Sequence, residues 1–267
     1  MANNYLWPGR NGNPATPVDA PDCGNIPSDS VIVAGGCVSA FFSGTLYSYG
    51  TFGCRVKTKA NLAYYIITSY HTFYYGNTFV EDANVYYCNN GAGTQKQMGE
   101  VINKGYSSQV YDDVTYPDMD AVLIQLTSKK ASGNKGGLYN NIGQTYNIQA
   151  APASMRVEVG DIVIKYGIAT GFTQGMVTSM IGSPDPFGFI IEYYDGKAVD
   201  SLIPFSDHGD SGGMVFKTNP DNNVIYPVGM ITLGARELDG PSILSYAILA
   251  QRIFDKFNVS VFADPSP

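Results

Sequence analysis

Short apolar runs separated by turn-forming residues are the feature of this chain that most restricts its possible folds. Residues 63–69 (AYYIITS) combine aromatic and β-branched side chains, and residues 121–126 (AVLIQL) have the length of a buried strand. The same pattern predicts further strands at residues 50–57, 161–166, 174–180, 188–194 and 224–233. Helical spacing occurs in residues 247–257, where one stripe contains Leu249, Ala250, Ile253, Phe254 and Phe257. The sequence therefore predicts an all-β protein with a C-terminal helix.

The composition argues against two classes of partner. With a formal net charge of −7 and no cluster of Lys and Arg, the chain lacks the basic surface that nucleic acids require. No apolar run is long enough to span a membrane, so no membrane partner is expected. The first residues, MANNYLWPGRNGNP, lack a basic region followed by an apolar core, so no secretory signal is expected. Two possibilities stay open for the compartment: the protein works inside its cell of origin, or a leader is missing from this chain.

The four cysteines do not form a metal-binding pattern. Cys23, Cys37, Cys54 and Cys88 have no C-x-x-C spacing and no partner histidines, as a zinc site would require. We expect them to have structural roles, paired or free, and the sequence leaves the pairing open. It predicts neither a metal nor a cofactor.

Ser211 lies in the segment Gly209-Asp-Ser-Gly-Gly213, which suggests a nucleophilic serine. A serine hydroxyl is a weak nucleophile unless a neighbouring base takes its proton. The chain has two histidines. His208 is so close to Ser211 in sequence that it could hardly reach the Ser211 hydroxyl and be oriented by a third group at the same time. His71, at the end of a predicted strand, is therefore the candidate base. The alternative for His71 is a loop histidine that is hydrogen-bonded to backbone.

A carboxylate that orients His71 is expected at a similar strand edge. Asp118 and Asp120 both precede the apolar run at residues 121–126. Asp120 is directly next to this run and is the better placed for partial burial beside a histidine. The alternative for either residue is a solvated aspartate in a turn.

The glycines around Ser211 suit an oxyanion hole. They allow positive φ angles and a close approach of the backbone to a substrate. They also leave the amides of Gly209 and Ser211 free to point at one oxygen atom. A simple turn could contain the same residues, but a Gly-Asp-Ser-Gly-Gly segment followed by an apolar strand is far rarer by chance.

Several segments resemble the chymotrypsin-like serine proteases, and their style is closest to the bacterial-type branch. The candidate residues follow that family's order of His, Asp and Ser. Residues 164–177 (IKYGIATGFTQGMV) are similar to the family segment V-x-R/K-x-G-x-T-T-G-x-T-x-G-x-V, and residues 228–234 (VGMITLG) to the strand that pairs with substrate. Residues 50–56 and 66–71 resemble the approach to the catalytic histidine. The resemblance covers roughly residues 45–258.

The resemblance implies two six-stranded antiparallel β-barrels with the active site in the cleft between them. In such a site Ser211 is the nucleophile, His71 is the general base and Asp120 holds the imidazole. The amides of Gly209 and Ser211 form the oxyanion hole. Substrate-binding positions are expected at Phe205, Thr232, Leu233 and Gly234. Lys165 takes the place of an internal cation that pairs with Asp210.

The expected organisation follows from this architecture. It comprises an irregular N-terminal arm (1–30), a first barrel with His71 and Asp120 (31–128), a connecting segment (129–155), a second barrel with Ser211 (156–246), and a C-terminal helix and tail (247–267).

The leading functional hypothesis is a serine endopeptidase whose partner is a protein or peptide substrate. Two alternatives stay open. One is a binding or scaffold protein that keeps the protease fold, and the other is an esterase that uses the same residues. The sequence leaves the cleavage specificity and the oligomeric state open.

Overall fold

A computed structural model describes residues 35, 37–42, 45–58, 61–75, 78–79, 84–87, 96–126, 138–139, 145–152, 155–219, 224–236 and 243–262. The predicted N-terminal arm and most of the predicted connecting segment lie outside these residues, as do Cys23, Cys88 and the side chain of Cys37. Cys54 is a free and buried thiol, and burial raises its pKa.

The described residues before residue 127 form short and long strands and one 3-10 turn at Tyr70–Phe73. These strands are β1 (Cys37–Phe42), β2 (Thr45–Thr51), β3 (Arg55–Thr58), β4 (Asn61–Thr68), β5 (Tyr74–Tyr75), β6 (Thr78–Phe79), β7 (Asn84–Tyr87), β8 (Lys96–Tyr111) and β9 (Val114–Leu126).

The later described residues form further strands and one α-helix. They are β10 (Leu138–Tyr139), β11 (Thr145–Ile148), β12 (Ile162–Gly167), β13 (Gly171–Ile181), β14 (Gly188–Tyr193), β15 (Met214–Thr218), β16 (Val224–Arg236), β17 (Ile243–Leu249), α1 (Ala250–Phe257) and β18 (Val259–Val261).

The strands form two large sheets, one for each half of the chain. The first sheet has the order β18-β3-β4-β9-β8-β7-β1-β2, and β5 and β6 pair separately. The second has the order β10-β11-β16-β15-β12-β13-β14-β17, and an additional pairing of β16 with β17 closes β12–β17 into a six-stranded barrel. The described pairings are antiparallel except that of β11 with β16. The predicted all-β class with a C-terminal helix is confirmed.

The apolar run is continuous over residues 121–124 because both faces of β9 are buried there. Successive side chains of a strand point to opposite faces. Val122, Ile124 and Leu126 pack in a core inside the first sheet, with Phe52 and Ile66. On the other face Ala121 and Leu123 belong to a second core, the shared core, together with residues of the second half and of α1, whereas Gln125 is exposed.

Strands of the second barrel divide their side chains in the same way. Val163 and Val215 pack inside the barrel with Phe189. Their neighbours in sequence, Ile164 and Met214, lie in the shared core. The shared core therefore joins the two halves of the protein through side chains of both.

The C-terminal helix begins three residues later than the sequence predicts. Ala247 pairs with Phe189 on one side and with Ile231 on the other, so residues 247–249 continue β17 and do not form the first turn of a helix. The apolar spacing is shared by a buried strand and a helix, and the position between two strands decided the outcome. The stripe of α1 is buried as predicted, including Ile253, Phe254 and Phe257.

The predicted tail also contains a strand. Asn258 adopts a left-handed conformation with φ 51°, which ends the helix and turns the chain. β18 then pairs with β3, with Val259 opposite Thr58 and Val261 opposite Val56. The end of the described chain thus belongs to the first sheet.

Tyr246 ties the second half of the chain to the first. Its hydroxyl donates a hydrogen bond of 2.7 Å to the carbonyl oxygen of Pro117 on β9, and its ring lies 5.1 Å from that of Tyr116. Tyr246 is buried, which raises the pKa of its hydroxyl and keeps it a donor.

We predict that Tyr246→Phe destabilises the protein. The substitution leaves the buried Pro117 carbonyl without this donor, which typically costs about 1–3 kcal/mol. Urea unfolding would measure the loss. Tyr226→Phe, at a partly exposed position of β16, is the matched control and should change the free energy of unfolding by no more than about 0.5 kcal/mol. Equal midpoints for wild type and Tyr246→Phe would contradict the prediction.

Candidate active site

The pairing of β4 with β9 brings His71 next to Asp120. In this antiparallel pair Thr68 is opposite Val122, so the 3-10 turn that follows β4 lies beside the residues that precede Val122. The Nδ1 atom of His71 is 2.6 Å from Oδ2 of Asp120. The backbone N–H of His71 donates to Oδ1 of the same carboxylate at 3.0 Å. Two hydrogen bonds therefore fix both the turn and the imidazole ring.

This contact determines which nitrogen of His71 can accept a proton. The Asp120 side chain is fully buried, while 15% of the His71 side chain is exposed. An ionised carboxylate is only an acceptor, so Nδ1 carries the hydrogen and Nε2 keeps its lone pair. Burial lowers the pKa of His71, but the charge of Asp120 and the hydrogen bond to it outweigh burial and raise the pKa above its ordinary value of 6.5.

Asp118 has a different environment from Asp120. Its Oδ2 accepts a hydrogen bond of 2.7 Å from Nε2 of Gln109, and Arg252 of α1 lies 3.8 Å away. The two aspartates are two residues apart on β9, and the structure brings Asp120 to His71 and Asp118 to Arg252.

Residues 207–213, which we call the serine loop, form a tight turn around Ser211. Gly209 has φ +106° and Gly212 has φ +88°, angles that other residues rarely adopt. The amide of Asp210 donates to the carbonyl of Asp207 at 2.9 Å, and that of Gly213 to the carbonyl of Asp210 at 2.8 Å. The positive φ angles expected for this segment occur at Gly209 and Gly212, where a residue with a side chain would be strained.

The serine loop packs against the segment that carries His71. A side chain at Gly212 would meet Oγ1 of Thr68, the carbonyl of Thr51 at 2.5 Å and the amide of Ser69 at 2.8 Å. Thr68 and Ser69 directly precede the 3-10 turn of His71. Ser211 is partly exposed. The structure thus brings the loop of Ser211 against the base of the turn that holds His71.

Lys165 and Asp210 form an ion pair that is fully buried. Nζ of Lys165 lies 3.0 Å from Oδ2 of Asp210, and neither side chain is exposed. The carboxylate also accepts hydrogen bonds from the amides of Ala169, Thr170 and Asp207 at 2.8, 3.3 and 3.1 Å. The hydroxyl of Thr170 donates to Asp210 and accepts from Lys165, both at 2.6 Å. Burial lowers the pKa of Lys165, and the charge of Asp210 opposes this shift.

The candidate substrate-binding residues are mostly buried. The ring of Phe205 has no exposed surface and belongs to the core inside the second barrel, and its carbonyl accepts from the Thr173 hydroxyl at 2.7 Å. Thr232 and Leu233 on β16 are also buried, and Gly234 follows them on the same strand. Their role in binding substrate stays a prediction, and Phe205 can contribute to an open pocket only through other atoms than its ring.

Two further observations concern the part of the chain that the structure describes. His, Cys, Asp and Glu side chains do not gather there in a group of three or more that could hold a metal ion. The helix in that part is neither long nor apolar enough to cross a membrane. His208 is exposed, and its ring lies 6.2 Å from that of Tyr49.

Sequence reasoning missed the two threonines that hold the serine loop. Thr170 bridges Lys165 and Asp210, and Thr51 contacts the loop directly. Both lie in segments that carry the family resemblance, residues 164–177 and 50–56, which was the available signal. Threonine is too common in strands and turns for its type alone to indicate a role.

We predict that Lys165→Met lowers the free energy of unfolding by about 3–5 kcal/mol, because it leaves a buried carboxylate without its cation. Guanidinium unfolding would measure the loss. The control is Lys217→Met, which breaks a pair with Asp161 of similar length, 2.8 Å, at side chains that are 22% and 23% exposed. A partly exposed pair of this kind contributes about 0–1 kcal/mol. Similar losses for the two variants would show that burial of the Lys165 pair has no special weight.

Comparisons with known proteins support the fold. No family model and no curated protein sequence matches the chain. Its structure is similar to that of protease A of Thermobifida fusca, with a TM-score of 0.57 and 13% identity over 88% of this chain and 100% of that chain. The Cellulomonas bogoriensis chymotrypsin has a TM-score of 0.54 and 15% identity over 87% and 98% of the two chains. A glutamic acid-specific serine protease has a TM-score of 0.54 and 18% identity over 86% and 100%. The chain therefore has the fold of the chymotrypsin-like bacterial serine proteases.

Proposed function

We propose that this protein is a serine endopeptidase that hydrolyses peptide bonds through an acyl-enzyme intermediate. The observation that carries the proposal is the 2.6 Å contact of His71 Nδ1 with the buried carboxylate of Asp120. This contact leaves Nε2 as a base, beside the packed loop of a glycine-flanked serine. A solvated loop histidine would have no need for a fully buried acid.

The chemistry follows from these positions. Ser211 Oγ attacks the scissile carbonyl carbon while His71 Nε2 takes the hydroxyl proton, and the imidazolium then gives this proton to the leaving amine. Water repeats the sequence on the acyl-enzyme and releases the acid. Asp120 keeps the proton of the resting imidazole on Nδ1 and stabilises the imidazolium. The amides of Gly209 and Ser211 stabilise the oxyanion.

The buried ion pair supports an oxyanion hole that is formed in the resting protein. Asp210 accepts from the Asp207 amide at 3.1 Å, which closes the serine loop, and Lys165 balances its charge at 3.0 Å. Because the cation is a side chain within the fold, the loop does not depend on an amino group that proteolysis must release. We therefore expect activity without an activating cleavage.

The mode of substrate binding described for one structural neighbour does not fit the residues of this chain. That neighbour is described as a glutamic acid-specific serine protease that uses a histidine triad in substrate binding. This chain has two histidines, and one of them pairs with Asp120. It cannot supply three histidines to a substrate, so its specificity must have another basis.

Two alternatives use the same residues or the same fold. An esterase would cleave esters and leave peptides intact. A binding protein with the protease fold would show no turnover, and the buried Asp120 beside His71 argues against it because binding alone needs no oriented base.

We predict that Ser211→Ala abolishes hydrolysis and retains the fold. Loss of the nucleophile in a related mechanism costs about 10⁶ in turnover. A fluorophosphonate, which phosphonylates an activated serine with loss of fluoride, should label the wild type at Ser211 and not this variant. Ser108→Ala, on the exposed part of β8, should be labelled like the wild type. An unlabelled wild type, or peptide cleavage by pure Ser211→Ala at more than a few per cent, would dispose of the proposal.

The two aspartates of β9 should differ strongly in effect. Asp120→Asn is expected to lower turnover by about 10⁴, because an amide holds the imidazole in the wrong tautomer. Asp118→Asn should have a mild effect, since Asp118 contacts Gln109 and Arg252 instead of His71. Steady-state kinetics on one peptide substrate would compare them. The reverse order of severity would show that Asp118 has the orienting role and Asp120 does not.

The acid limb of the pH profile should lie above pH 6.5. His71 must be neutral to accept a proton, and the folded protein raises its pKa above 6.5. The profile of kcat/KM reports this pKa for the free enzyme.

The contribution of the His71–Asp120 pair to stability changes with pH in the opposite direction to activity. It is complete below the pKa that His71 has in the unfolded chain, and it is lost as pH rises through the pKa of His71 in the folded protein. In Asp120→Asn the negative charge is lost while the burial remains, so an NMR titration of His71 should give a lower pKa than in wild type. An equal or higher pKa would contradict this.

A further inference from the structure

Thr51, the last residue of β2, makes two hydrogen bonds to the serine loop. Its hydroxyl donates to the carbonyl of Gly209 at 2.8 Å, and its backbone N–H donates to the carbonyl of Ser211 at 2.7 Å. Thr51 is fully buried. A residue of the first sheet therefore holds two carbonyls of a loop that belongs to the second half of the chain.

These bonds fix the peptide planes on both sides of the Ser211 amide. The plane between residues 209 and 210 is held at its oxygen by Thr51 and at its nitrogen by the carbonyl of Asp207, 2.9 Å away. The plane between residues 211 and 212 is held at its oxygen by Thr51 and at its nitrogen by the carbonyl of Ile231, 2.8 Å away. The plane between residues 210 and 211, which carries the Ser211 N–H, lies between them. Its own oxygen, the carbonyl of Asp210, accepts from the amide of Gly213 at 2.8 Å, and the two planes held by Thr51 fix the Cα atoms at its ends.

The same threonine contacts two other segments of the proposed site. Its hydroxyl accepts from the amide of Ile168 at 3.1 Å, next to the amides of residues 169 and 170 that bind Asp210. Its carbonyl accepts from the hydroxyl of Thr68 at 2.8 Å, three residues before His71. Thr51 thus contacts the serine loop, the turn beside the ion pair and the strand that leads to the base.

Two of the four hydrogen bonds depend on the side chain. Any residue other than proline at position 51 keeps the backbone bonds to Ser211 and Thr68. The bonds to Gly209 and Ile168 need a hydroxyl, which donates one and accepts one here. Valine has nearly the same shape without the hydroxyl, and serine keeps the hydroxyl without the methyl group.

We propose that Thr51 is a positioning residue, whose hydroxyl holds the serine loop so that the Ser211 amide points at the oxyanion. The proposal rests on the proposed function of the site and adds a residue outside the triad and the ion pair. Thr51 does not touch the reacting atoms. Thr51 affects the direction of the Ser211 N–H. Its replacement should therefore weaken the stabilisation of the transition state and change the binding of substrate little.

The test compares the phosphonylation of Ser211 by a fluorophosphonate in wild type, Thr51→Val and Thr51→Ser. For Thr51→Val we expect the maximal labelling rate to fall by about 10-fold or more, short of the roughly 10²–10³-fold that loss of a whole oxyanion donor costs. The half-saturating probe concentration should change little. Thr51→Ser should be labelled at close to the wild-type rate. Amide hydrogen exchange in a peptide that covers residues 207–213 should be faster in Thr51→Val and unchanged in Thr51→Ser.

Each outcome separates the two proposals. A wild type that is not labelled contradicts the proposed function, whereas the exchange measurement still tests Thr51 on the folded protein. Wild-type labelling and exchange in Thr51→Val overturn the positioning role. An equal loss in Thr51→Val and Thr51→Ser also overturns it, because the serine variant keeps the hydroxyl and would then show that the hydroxyl does not sustain the rate. If Thr51→Val does not fold, Thr51→Ala leaves room for a water molecule between the orphaned groups. Wild-type labelling and exchange rates in Thr51→Ala would then overturn the proposal, because a water molecule can satisfy the orphaned groups but is not attached to β2 and cannot hold the loop in place.

Discussion

The candidate site depends on the burial of one charge pair, Lys165 and Asp210. A buried carboxylate is costly unless its cation and its hydrogen-bond donors are all in place. Asp210 meets this condition with Lys165, three backbone amides and the Thr170 hydroxyl. These donors come from the serine loop and from the turn after β12, so both segments must adopt one conformation to satisfy one carboxylate. The geometry of the loop around Ser211 follows from this requirement.

The site lies where the two halves of the chain share a core. β9 carries Asp120, and β15 follows the serine loop; each buries both faces, one in its own half and one in the shared core. β18 returns to the first sheet after α1 has covered the shared core. The relative position of the halves is therefore set by packing along whole strands, and the contacts of Thr51 and Tyr246 refine it locally.

The sequence predicted regular elements where burial on one or two faces leaves a clear pattern. The strands predicted at residues 63–69, 161–166 and 224–233 are present, and each of their ends lies within three residues of the predicted one. The helix boundary was wrong because residues 247–249 satisfy both a helical stripe and a buried strand. β8 and β18 escaped notice, since β8 is largely exposed and polar and β18 is only three residues long. Strand pairing across a long separation, such as that of Val261 with Val56, leaves no local pattern.

By itself the sequence determined the all-β class, the glycines of the serine loop and the short set of residues able to do acid–base chemistry. It could do so because two histidines and one glycine-flanked serine leave few combinations. The tertiary structure decided which aspartate meets the histidine, because the register of β4 on β9 places Asp120 at the 3-10 turn and sends Asp118 to Arg252. It also decided the role of Thr51, whose hydroxyl meets the carbonyl of Gly209 only when residues 158 positions apart in the chain are packed together. Hydrogen bonds of this kind are set by distance and direction in three dimensions, and residue type alone carries neither.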